Sequence, residues 1–127
     1  ACKNGNENII KILIDNGVNL NESNINGEIP LILACKNENE TIIKTLIDHG
    51  ADINVKNKIG EIENGANVHM ENNDGYTPLI VACENANKEI IELLVKNGAG
   101  VNVENIIGDT PLIISCENKN DDIVKLL

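Results

Sequence analysis

One spacing of thirty-three positions runs through the chain and constrains its fold more than any other feature, because a fixed period makes each segment one copy of a shared supersecondary unit. Gly17 and Gly50 stand one such period apart, as do Gly65 and Gly98. The same distance separates Gly27 from Gly60, Gly75 from Gly108, Cys2 from Cys35, and Cys83 from Cys116. The strings Asn-Gly-Val-Asn-Leu-Asn (16–21), His-Gly-Ala-Asp-Ile-Asn (49–54), Asn-Gly-Ala-Asn-Val-His (64–69) and Asn-Gly-Ala-Gly-Val-Asn (97–102) are variants of one pattern. Three markers that keep one period exclude coincidence.

Within the period 24–56, two apolar blocks at helical spacing, Leu31 to Cys35 and Ile42 to Ile47, flank the polar stretch Lys36 to Thr41. That pattern predicts a helix, a turn and a second helix. Thr77-Pro78 and Thr110-Pro111 place a capping hydroxyl before a proline at the first helical position, where no backbone donor is needed. Asn6, Asn39, Asn87 and Asn120 stand where the second helix should start, each followed by acidic residues that suit the positive end of a helix dipole. Gly17, Gly50, Gly65 and Gly98 are placed to end that helix in the left-handed conformation. An Asn-x-x-Gly turn then leads into the next unit.

Asp74-Gly75-Tyr76-Thr77-Pro78-Leu79-Ile80-Val81-Ala82-Cys83, followed by Glu89-Ile90-Ile91-Glu92-Leu93-Leu94-Val95-Lys96-Asn97-Gly98-Ala99, resembles an ankyrin repeat. The resemblance covers the chain as a partial unit (1–23), a full unit (24–56), a remnant (57–71), a full unit (72–104) and a final partial unit (105–127). It implies an all-α solenoid of stacked helix-turn-helix units with β-hairpin-like loops and a concave face that binds other proteins. The chain departs from the family pattern in places. Ile32, Ile80 and Ile113 replace the histidine after Pro-Leu, so apolar contacts between units must substitute for its hydrogen bonds, at roughly 25 cal/mol per Å² buried. Ile29 occupies the place of Thr77 and Thr110, a cap loss of about 1 kcal/mol. The glycine between the two helices survives only as Gly5; Glu38, Ala86 and Lys119 replace it and carry strain wherever φ stays positive. The spacing of Leu46, Asp52 and Asn54 also resembles that accepted by asparaginyl hydroxylases in such units.

The remnant breaks the period. Gly60 and Gly75 are only fifteen positions apart, as are Gly50 and Gly65, so eighteen positions of a unit are missing between Glu61 and Ile62. Each unit buries its apolar face only against its neighbours. The expectation is therefore that a stack cannot lose both helices there and keep its register, which favours a break in the chain between Glu61 and Ile62. Ala1 is not methionine and Leu127 stops within an apolar stretch, so the sequence reads as part of a longer array.

The chemistry that the composition excludes narrows the function. Ten lysines against 20 acidic residues give a net charge of -10, a field that repels nucleic-acid phosphates and anionic lipid. Neither nucleic acid nor direct membrane binding is expected. The four cysteines fall at one equivalent place per unit, and equivalent places on stacked helices are roughly 8–10 Å apart. That exceeds the reach of a disulfide. Buried free thiols in an intracellular, cytoplasmic setting are expected. His49 and His69 are the only imidazoles and read as surface loop residues. No phosphate loop, dinucleotide fingerprint or zinc-protease helix occurs. No catalytic residue, metal or cofactor is expected.

The positions that vary between units are those that the ankyrin resemblance assigns to hairpin tips and the concave side of the first helix, and they are the candidates for partner contact. They are Ile25, Asn26, Glu28, Lys36, Asn37, Lys56 and Lys58, then Asn73, Asp74, Tyr76, Glu84 and Asn85, then Glu104, Ile106, Ile107, Asp109, Glu117 and Asn118. Tyr76, the only aromatic residue, and the Ile106-Ile107 pair are the apolar anchors of the set. Residues 1–61 carry six lysines and nine acids, whereas residues 62–127 carry four lysines and eleven. A partner with a basic surface is expected on the later units. The resulting reading is a noncatalytic protein-protein interaction module. Its alternatives are a targeting or regulatory segment of a larger enzyme or channel, and a structural spacer.

Overall fold

A computed structural model describes residues 6–24, 27–56 and 75–127. Seven helices lie among them: α1 (Glu7–Asp15), α2 (Pro30–Lys36), α3 (Glu40–Asp48), α4 (Pro78–Glu84), α5 (Lys88–Lys96), α6 (Pro111–Glu117) and α7 (Asp121–Leu126). There is no strand among the described residues. The loops nevertheless turn back on themselves at Asn24 and Asn105. The Asn24 N–H donates to the Glu28 carbonyl and the Asn105 N–H to the Asp109 carbonyl, both at 3.0 Å.

Local chemistry sets the helix limits. The Oδ1 atoms of Asn6, Asn39, Asn87 and Asn120 accept the N–H three residues on and start α1, α3, α5 and α7. Thr77 and Thr110 cap α4 and α6 in the same way, with Pro78 and Pro111 behind them. Ile29 starts α2 without a side-chain cap and is instead buried. Burying an aliphatic side chain contributes about 1.5–3 kcal/mol, which outweighs the missing cap. Gly17, Gly50 and Gly98 follow α1, α3 and α5 with φ of 78°, 93° and 94°. In each case the next residue donates to the carbonyl five positions back, closing a Schellman motif. Gly65 lies outside the described residues.

The first helices end in the same motif without glycine. Glu38, Ala86 and Lys119 hold φ of 55°, 54° and 54°, so the strain foreseen at these positions is present. The following residue is already the cap of the next helix. Only this left-handed residue separates the C-cap of the first helix from the N-cap of the second, and the two helices of a unit fold back tightly on each other.

Helix pairs α2 with α3, α4 with α5, and α6 with α7 pack within units, while α2 lies on α4 and α4 on α6 between units. The core is aliphatic, as one aromatic residue requires. Leu31, Ile32, Leu79 and Ile80 are fully buried, together with Ile42, Ile43, Ile90 and Ile91. The isoleucines that replace the family histidine are thus packed between units at Ile32 and Ile80.

The direct packing of α2 on α4 is the main correction to the sequence reading. Residues 57–74, which include the remnant, Glu61 and Ile62, lie outside the described residues. The units on either side of that segment are immediate neighbours, so the stack keeps its register where the sequence argument expected it to fail. Two sets of hydrogen bonds show this. Asn118 Nδ2 donates to the Cys83 carbonyl at 3.1 Å, and Asn85 Nδ2 donates to the Cys35 carbonyl at 3.2 Å. Asn21 Oδ1 accepts from the Asp52 N–H at 2.7 Å, and Asn54 Oδ1 accepts from the Gly100 N–H at 2.6 Å. In both sets the bond across residues 57–74 spans fifteen positions more than its twin, and its partners are the equivalent ones. Units dock through their helix faces and these asparagines, and a longer link costs only a logarithmic amount of closure entropy.

Candidate functional site

Hairpin turns and first-helix ends lie side by side along the stack, and this is where the sequence places its contact residues. The turn at Asn105 is an Asx turn: its Oδ1 accepts the N–H groups of Ile107 and Asp109 at 3.0 and 2.9 Å. The Gly108 N–H returns to the Asn105 carbonyl at 3.1 Å. With its backbone bonds closed internally, the turn presents Ile106 and Ile107 outward, 68% and 74% exposed. Water-facing isoleucines at the tip of a loop contribute nothing to the core. The preceding hairpin lies close against this turn: a Cβ on Gly75, where φ is 79°, would stand 3.1 Å from the Ile106 nitrogen.

Tyr76 does not join the exposed set. It is 9% exposed and belongs to the core, so its ring supports the hairpin from within instead of offering an apolar surface to a partner. Its hydroxyl donates to Glu84 Oε1 at 2.9 Å, tying the hairpin to the end of α4. Burial first, then the hydrogen bond and charge of Glu84, push the hydroxyl up to about 12, while the Asn105 side chain acts in the opposite direction. Tyr76 therefore stays neutral and donating throughout the physiological range.

Among the other candidates, Asn85 and Asn118 are the stack-forming donors described above, although both residues remain exposed. Lys56 is exposed and its Nζ lies 3.5 Å from the Glu104 carbonyl. Glu84, Glu104 and Glu117 are exposed, as is Asn37, while Glu28, Lys36 and Asp109 are half-buried. Glu28 Oε2 accepts from Asn24 Nδ2 at 2.8 Å and steadies the first described turn. Ile25, Asn26, Lys58, Asn73 and Asp74 lie outside the described residues. The later units therefore carry the exposed Ile106-Ile107 tip and, on the same units, the exposed carboxylates of Glu84, Glu104 and Glu117 and the half-buried one of Asp109.

Sequence reasoning missed that Asn21 and Asn54 join one unit to the next. Asn54 Nδ2 also donates to the Gly98 carbonyl at 3.3 Å, so both amide atoms engage the following unit. The signal available was their recurrence at one place in the period. Of the thiols, Cys35 and Cys83 are buried as expected. Burial pushes the Cys35 thiol up to about 12 and the Cys83 thiol up to about 11, the latter opposed by Ser115. Cys116 corrects the expectation: it is exposed, and among the described residues no helix pair lies over α6 as α6 lies over α4. His49 is an exposed cap residue whose Nδ1 meets the Thr45 carbonyl at 2.7 Å; His69 lies outside the described residues.

Among the described residues no group of three or more His, Cys, Asp and Glu side chains is placed to hold a metal ion. No helix there is long and apolar enough to cross a membrane. The family model of ankyrin repeats, in three copies, matches residues 1–57 and 60–127. With the stacked helix pairs this shows that the chain belongs to the ankyrin repeat family, whose members generally bind other proteins and are typically noncatalytic. Comparison with curated proteins gives no match.

Proposed function

We propose that this array is a noncatalytic protein-binding module that holds its partner through the hairpin tips and first-helix ends of the later units. The exposed Ile106-Ile107 tip carries the reading. A self-contained turn that spends two isoleucines on solvent has an anchor ready for an apolar pocket. The carboxylates around it favour a partner with a basic surface: Glu104 and Asp109 flank the tip, and Glu84 and Glu117 stand at the ends of α4 and α6. The net charge of -10 steers such a partner inward and opposes nucleic acid and anionic membrane. Reduced thiols at Cys35, Cys83 and Cys116 suit an intracellular, cytoplasmic location.

The test compares the protein with an Ile106→Asp, Ile107→Asp variant as bait in cell extract, with captured proteins identified by mass spectrometry. Both side chains are outside the core, so thermal unfolding should shift by no more than about 0.5 kcal/mol. Proteins captured saturably by the unmodified chain and lost with the variant support the reading, and the loss should be steeper for basic ones. Equal capture by both overturns it. No saturable capture by either favours a structural spacer.

A further inference from the structure

We propose that Asn97 is a latent self-modification site: its amide is withheld from ring closure with Gly98 while α5 is folded and becomes reactive when the end of α5 opens. Asn97 is the C-cap of a second helix, away from the hairpin tips and first-helix ends. Glycine leaves its backbone nitrogen unshielded by a side chain, so an asparagine closes onto that nitrogen more readily than onto that of any other residue. The chain carries the dipeptide at Asn4-Gly5, Asn16-Gly17, Asn26-Gly27, Asn64-Gly65 and Asn97-Gly98. Of these, Asn16-Gly17 and Asn97-Gly98 lie wholly within the described residues. Cyclisation needs the Gly98 nitrogen deprotonated and free to meet Asn97 Cγ. Both groups are engaged instead. Asn97 Nδ2 donates to the Leu93 carbonyl at 2.7 Å, and the Gly98 N–H donates to the Val95 carbonyl at 3.1 Å. Asn16 and Gly17 repeat the arrangement, with bonds of 2.7 Å to the Ile12 carbonyl and 2.9 Å to the Ile14 carbonyl. His49 holds the same place before Gly50, where its Nδ1 meets the Thr45 carbonyl at 2.7 Å. The cap contact is thus open to a side chain with no amide to lose.

When the last turn of α5 opens, the Gly98 nitrogen gives its proton to solvent and bonds to Asn97 Cγ. The Cγ–Nδ2 bond breaks, and the nitrogen takes a proton from solvent and leaves as ammonia. Water then opens the cyclic imide at one of its two carbonyls, giving aspartate or isoaspartate. In isoaspartate the main chain runs through the side-chain carbons. Both products oppose reclosure. A carboxylate has no N–H for the Leu93 carbonyl and sets negative charge at the negative end of the helix dipole. Isoaspartate also lengthens the main chain just before Gly98, where the preceding unit is clasped. Asn54 Nδ2 donates to the Gly98 carbonyl at 3.3 Å, and Asn54 Oδ1 accepts the Gly100 N–H at 2.6 Å. One reaction at Asn97 therefore removes a helix cap and loosens a joint between units. It leaves a permanent mark on each molecule whose α5 end has been open.

The test incubates the chain at mildly alkaline pH, folded in buffer and unfolded in urea, and follows amide-to-acid conversion at Asn97 by peptide mass mapping. Conversion should be at least about tenfold slower in the folded chain, because its rate follows the open fraction. Asn97→Asp makes the aspartate product directly and should raise the unfolding constant in urea about fivefold or more. Asn97→His copies His49 and should keep the unfolding constant within about threefold of the parent. Equal conversion rates in the folded and unfolded chains would overturn the proposal, as would no conversion in the unfolded one. So would an Asn97→Asp chain as stable as the parent, or an Asn97→His chain as unstable as Asn97→Asp.

Discussion

Removing residues 61–75 joins Gly60 to Tyr76 and returns Cys35 and Cys83 to a separation of one full period. The packing of α2 on α4, and the bonds from Asn85 to Cys35 and from Asn54 to Gly100, predict that the shortened chain keeps its stack. The size of the effect follows from the links. Fourteen residues separate α1 from α2 and α5 from α6, whereas twenty-nine separate α3 from α4. Closure entropy grows as about 1.5RT times the logarithm of loop length, so halving the α3–α4 link stabilises by about 0.6 kcal/mol. Residues that instead contributed a packed unit would take several kcal/mol of burial with them. Urea unfolding followed by far-ultraviolet circular dichroism, with Tyr76 fluorescence as a second probe, separates the two cases. Unchanged or slightly raised stability is expected. A loss of more than about 2 kcal/mol, the low end for emptying a single buried leucine site, would refute the inference that the two flanking units dock directly on each other.

Three further outcomes follow from the interior. Replacing Ala86 or Lys119 by glycine relieves a left-handed backbone and should stabilise by about 0.5–1 kcal/mol in thermal unfolding, after allowance for glycine's greater freedom in the unfolded chain. Glu38→Gly should gain less, because Glu38 Oε1 accepts from Asn87 Nδ2 at 3.2 Å and that bond is lost; loss of stability at all three positions would contradict the strain. Thiol titration gives a pH dependence: Cys35 and Cys83 ionise near 12 and 11 when folded but at an ordinary thiol pKa when unfolded. Their contribution is complete below the ordinary value and is lost as pH rises from there through 11 and 12, so stability should fall above about pH 9. At neutral pH an alkylating reagent should modify Cys116 at once and leave Cys35 and Cys83 until the chain unfolds; prompt modification of all three would refute their burial.

The elements were legible because each boundary is written locally. An asparagine or threonine oxygen three residues before an N–H, a proline without a donor, and a glycine that tolerates positive φ all act within one turn. The repeat period added the order of the units. The stacking across residues 57–74 was not legible, because spacing alone does not distinguish a unit that has lost residues from a link that has gained them. Tyr76 was placed on the surface by the resemblance, which assigns it to a hairpin tip, whereas tertiary packing buries it. Asn85 and Asn118 read as variable surface positions since their acceptors, the carbonyls of Cys35 and Cys83, are 50 and 35 residues away. Resemblance assigned the candidate surface to the hairpin tips and first-helix ends, and tertiary packing decides which of those residues face water.

The asparagine amides that clasp successive units have one more consequence. Each clasp is made by side-chain atoms reaching a neighbour's backbone, so what sits on either side of the joint matters and how much polypeptide runs between does not. A chain assembled this way absorbs added or removed sequence in its connectors as punctuation, whereas the same change inside α2, α4 or α6 would scramble the text.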